Sequence, residues 1–111
     1  MNRIALSPAA SALLRVLIAR ARVPRDRILL MDVESADWQS LTFAGERHRF
    51  ELRVQGPDSR QAAERMTQGL EDAEFSIAGV LVADIAVARA PRRAFDGAME
   101  LTIEALTVDG D

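Results

Sequence analysis

His48 is the only histidine in the chain, and imidazole is the one side chain whose ordinary pKa lies close enough to neutrality for general-base work. It shares the parity of Phe50, Leu52 and Val54, so it is expected at the rim of an apolar sheet face. There a hydrogen-bonded structural histidine is the commoner outcome. With no cysteine present, only carboxylates remain to complete a metal site around it, and no zinc-type spacing occurs. Neither a metal nor a cofactor is expected. Asp84 is the unusual acid, because it interrupts the apolar run Val80 to Ala88. A buried carboxylate is costly unless paired, so Asp84 must be exposed, ion-paired or functional. With Glu100 and Glu104 it would form an acidic cluster two strands wide, suited to acid-base chemistry. The competing expectation is an ion pair with an arginine of a second copy.

The segment Asp37 to Phe43 holds the only tryptophan, Trp38. If Met31, Val33, Leu41 and Phe43 all face inward, then Ser35, Asp37 and Gln39 share their parity and line a polar pocket beneath the first strand. If instead a bulge or short loop near Asp37 resets the register, Trp38 turns inward. Asp37, Trp38, Ser40 and His48, with Asp84, are therefore the candidate small-molecule site; the competing reading makes Trp38 a core anchor for an edge strand. Ser40, His48 and Asp37 supply the residue types of a hydrolytic triad but lack a nucleophile-elbow pattern, so no catalytic residue is assigned. No glycine-rich phosphate loop occurs.

Two helices and four strands, in the order α-β-β-α-β-β, must position these residues. Ser7-Pro8 has the chemistry of a helix start, with Leu13, Leu14, Leu17, Ile18 and Ala21 on one face and Pro24 as the stop. Ile28 to Val33 reads as a strand, and Phe43-Ala44-Gly45-Glu46 as a hairpin turn into a second. In that second strand Phe50, Leu52 and Val54 alternate with Arg47, Arg49, Glu51 and Arg53. Asp58 and Gln61 have capping-box spacing before a second helix whose apolar stripe is Ala62, Ala63, Met66, Leu70 and Ala73. Val80 to Ala88 is a third strand, apolar on both faces. A loop around Pro91 and Asp96-Gly97 leads to the last, where Met99, Leu101, Ile103 and Ala105 alternate with Glu100, Thr102 and Glu104.

This layout resembles the ferredoxin-like superfold with its first strand moved to the end of the chain. The resemblance implies one α+β domain over residues 1–111, a four-stranded antiparallel sheet in the order 1-2-4-3 and both helices on one face. Because that superfold hosts unrelated functions, it implies no activity.

The chain has 111 residues, 49% of them hydrophobic and 28% charged, enough for one core without staples. All 14 basic residues are arginine, the codon habit of a GC-rich bacterial genome. Arginines crowd the first thirty residues against Asp26 alone, while the last forty-six carry nine acids and three arginines. Arg15, Arg20 and Arg22 break the longest apolar stretch, so no spanning or signal segment can be drawn and a cytoplasmic location is expected. The open sheet face offers carboxylates rather than stacked aromatics, which argues against nucleic acid. That face is expected to expose Val80, Val82, Asp84, Ala86 and Ala88, a patch that a second copy would cover. The two copies would pack sheet on sheet or continue the sheet through the third strand. The chain thus reads as a non-enzymatic, homodimeric binding or assembly module; the alternative is a small enzyme or ligand sensor using Trp38, His48 and Asp84.

Overall fold

Ser7 opens the first helix as its chemistry demands: its Oγ accepts the Ala10 N–H at 3.1 Å, and Pro8 takes the first helical position. In the computed structural model, which describes residues 5–110, this helix α1 spans Pro8–Ala21 and buries Leu13, Leu14, Leu17 and Ala21. It ends before Pro24, because Arg22 adopts a left-handed conformation (φ 57°) and returns its N–H to Ala19. The second helix, α2 (Ser59–Thr67), is shorter than its apolar stripe suggests. Gly69, at φ 66°, turns the chain into a single 3-10 turn over Leu70–Asp72, and that turn carries Leu70 into the core. The Asp58 side chain makes no cap bond, so the expected capping box does not form; Ser59 Oγ instead donates to the Gly97 carbonyl at 2.9 Å.

The last turns of the two helices meet and cap one another. Arg20 donates to the Met66 carbonyl at 3.0 Å and to the Gln68 carbonyl at 2.6 Å, and Arg65 donates to the Ala21 carbonyl at 2.9 Å. Each guanidinium thus satisfies carbonyls that a helix C-terminus leaves free, where the helix dipole also favours positive charge.

Four strands, β1 (Ile28–Gln39), β2 (Ala44–Val54), β3 (Val80–Arg93) and β4 (Met99–Asp109), form one antiparallel sheet in the expected order β1-β2-β4-β3. Phe50, Leu52, Val54, Leu101, Ile103 and Ile85 join both helices in a single core. The opposite face is uncovered and reads as five rows from β1 through β2 and β4 to β3. Trp38, Gly45, Val108 and Leu81 form the first row; Ala36, Arg47, Leu106 and Asp84 the second; Glu34, Arg49, Glu104 and Ala86 the third. Asp32, Glu51, Thr102 and Arg89 follow, and then Leu29, Arg53, Glu100 and Arg92.

Three local features depart from the sequence reading. The β1–β2 turn lies at Ser40 to Phe43, where the Ser40 N–H donates to the Phe43 carbonyl at 2.8 Å and Ser40 Oγ accepts the Phe43 N–H at 3.0 Å. Gly45 is inside β2, because a Cβ there would collide with the Thr107 backbone; close approach, not turn geometry, selects the glycine. β1 continues past Val33 to Gln39, with its bulge at Met31 rather than near Asp37.

β3 differs most. An extra residue at Ala83 shifts the register, so Val82 packs against the core and, by alternation, Val80 shares its side, while Leu81 stands on the open face. Further shifts at Ala88 and before Arg92 carry the strand through Pro91 to Arg93. Of the residues expected on the open face, Asp84 and Ala86 are there, Val80 and Val82 are not, and Ala88 is itself a bulge residue. The open face therefore carries no bare patch of Val80, Val82, Ala86 and Ala88.

Candidate functional site

The β2 strand delivers His48 to the helix side of the sheet, opposite Ser35 of β1 and Ala105 of β4, with 3% of its surface exposed. Its Nδ1 lies 2.8 Å from Ser35 Oγ and its Nε2 2.8 Å from Thr107 Oγ1. Thr107 Oγ1 in turn donates to the Glu46 carbonyl at 3.4 Å, which leaves its lone pairs to accept from Nε2–H; Nδ1 then accepts from Ser35. The ring stacks on Phe50, with centroids 5.9 Å apart. Burial holds the imidazole pKa below its ordinary value, against the opposing pull of Glu46. A neutral imidazole with both nitrogens engaged ties β1, β2 and β4 together and has no free position for a substrate. Sequence reasoning missed Ser35 and Thr107 as its partners. The available signal was parity, since Thr107 continues the inward series Met99, Leu101, Ile103 and Ala105 just where His48 interrupts the apolar series of β2.

The remaining candidates do not converge on His48. Asp37 shares its side but is exposed and stands opposite Glu46, and Ser40 is occupied by the hairpin turn. Trp38 is half-buried on the opposite face, in the same row as Gly45 and Val108. Val108 is only 8% exposed although no helix covers this face. Asp84 is also on the open face, exposed, in the row of Arg47 with Leu106 between them, and it has no ion pair among the described residues. The expected cluster of Asp84, Glu100 and Glu104 does not form. Glu100 lies three rows away and is held by Arg53 at 2.8 Å and by Arg92 at 3.6 Å. Arg53 also pairs with Asp96. The Ala98 N–H, and then Arg53, hold the Asp96 carboxyl below its ordinary pKa.

Among the described residues, no three His, Asp or Glu side chains gather as a metal site would require, and no helix is long and apolar enough to cross a membrane. No family model, curated protein or solved structure matches the chain.

Proposed function

We propose that the chain is a non-enzymatic homodimeric assembly module on a permuted ferredoxin-like sheet, with the dimer formed by the apolar end of the open face. One observation carries this reading. Leu81, thrown outward by the Ala83 bulge and 62% exposed, joins Leu106, Val108 and Trp38 in the first two rows. Leu41 and Phe43, at 105% and 57% exposure, stand on the hairpin turn next to the first row. Apolar side chains gathered at one end of the face, interrupted in the second row by Arg47 and Asp84, mark an interface, and a second copy is the simplest closed partner.

Sheet-on-sheet packing is favoured over edge pairing. Three register breaks and Pro91 disrupt the outer edge of β3, and Asp32, Glu34 and Asp37 would repel across a β1–β1 contact. The ferredoxin-like assignment rests on strand order and element order, with β4 as the displaced first strand and the chain opened between β4 and α1. Sedimentation of the wild type and of Leu81→Arg tests the reading: a dimer that the substitution converts to a folded monomer supports it, and a wild-type monomer well above micromolar concentration overturns it.

A further inference from the structure

At the other end of the open face, away from the apolar patch, a trough of about 220 Å³ runs across all four strands between Met31, Glu51, Thr102, Arg89, Arg92 and Glu100. Sheet irregularities frame it on both sides: Met31 is the β1 bulge residue, and the two β3 shifts around Arg89 aim Arg89 and Arg92 onto the open face. Bulges commonly re-aim side chains in this way at binding sites.

The charges within the trough are not equivalent. Glu51 is engaged by Arg49 at 3.4 Å, and Glu100 by both Arg53 and Arg92. Both carboxylates thus already face arginines. Arg89, by contrast, is exposed and forms no ion pair among the described residues. Directly across from it, Thr102 is only 3% exposed, yet it lines the trough and its hydroxyl has no hydrogen-bond partner among the described residues. A hydroxyl held at the floor of a recess beside an uncommitted guanidinium is a ready pair of donors for a planar, two-oxygen anion. Met31, 53% exposed at the β1 end, adds a flexible apolar wall.

We infer that this trough binds a small organic carboxylate with an apolar tail, its carboxylate held by Arg89 and Thr102 and its tail laid along Met31. The site is independent of the proposed dimer, because it lies in the fourth and fifth rows of the open face and the apolar patch in the first two.

Titration of the full chain with hexanoate, followed by amide chemical shifts, reads this out directly. Saturable shifts centred on Met31, Glu51, Arg89 and Thr102 are expected, with weaker binding of acetate, which lacks the tail. Arg89→Gln should weaken hexanoate binding about tenfold or more, as loss of a charge-assisted pair does. Thr102→Val, which keeps the shape and removes the hydroxyl, should weaken it several-fold, while Arg15→Gln on α1 should not change it. The same affinity is expected for Leu81→Arg, so failure of the dimer leaves this result readable. Absence of saturable shifts at millimolar hexanoate, unchanged affinity in Arg89→Gln, or tighter binding of inorganic phosphate than of hexanoate would each overturn the assignment.

Discussion

Two hydrogen bonds and a stacked phenyl ring hold His48 as a neutral imidazole, which ties the stability of the fold to pH. The folded-state pKa lies below the ordinary 6.5 because burial penalises the charged ring. The unfolded chain therefore takes up a proton first as the pH falls. The stability His48 contributes is present above that value and is lost progressively as pH drops toward the folded-state pKa. Urea unfolding at pH 7.5 and pH 5.5 should show this loss in the wild type and a shallower loss in His48→Gln; equal slopes would mean that His48 is not held neutral. At pH 7.5 the same substitution should cost about 1–3 kcal/mol, since it leaves at least one buried hydroxyl poorly paired. Thr102 is a second case in which a side chain's surroundings outweigh its parity. Alternation places it on the open face, as it is, but its neighbours there cover it almost completely. Leu101→Ala, on the core face, should cost about 2–5 kcal/mol, read by thermal or chemical melting.

The elements differ in how far their residues reveal them, and the difference is physical. β2 and β4 alternate apolar with charged residues, so their faces follow from spacing alone, and the Ser7-Pro8 start of α1 follows from its capping chemistry. β3 could not be read in the same way. Val80, Leu81, Val82 and Ala83 are all apolar, so nothing local says which of them faces the core, and one extra residue at Ala83 reverses the answer. Gly45 misled for another reason: a glycine required for close strand approach has the same letter as one required for a turn. The bulge makes a discriminating prediction. Val82→Arg should strongly lower the melting temperature, because it buries charge against the core, whereas Leu81→Arg should leave the melt of the monomer nearly unchanged. The reverse result would place Val82, not Leu81, on the open face. At the helix ends, Arg20→Ala should cost about 1–3 kcal/mol through loss of its bonds to the α2 carbonyls, while Arg15→Ala, exposed on the same helix, should change stability little.

For the whole molecule, the open face is arranged in columns of predominantly alternating charge. β1 presents Asp32 and Glu34, β2 presents Arg47, Arg49 and Arg53 around Glu51, β4 presents Glu100 and Glu104, and β3 presents Arg89 and Arg92 with Asp84. Arg49–Glu51, Arg53–Glu100 and Arg92–Glu100 pair some of this charge within the sheet, and burying the unpaired charges would be costly, which leaves the apolar end as the surface with most to gain from a partner. An interface built there rests on apolar burial and should persist as salt screens the charged rows. The candidate site anticipated from sequence dissolved at this scale. Trp38 and His48 belong to neighbouring strands, yet they stand on opposite faces of the sheet, a separation fixed by register rather than by distance along the chain. Light scattering of the wild-type chain at low and at high ionic strength, well above micromolar concentration, is the most direct test of the assembly. A mass twice that of one chain under both conditions is the predicted result, and a monomer under both would contradict it.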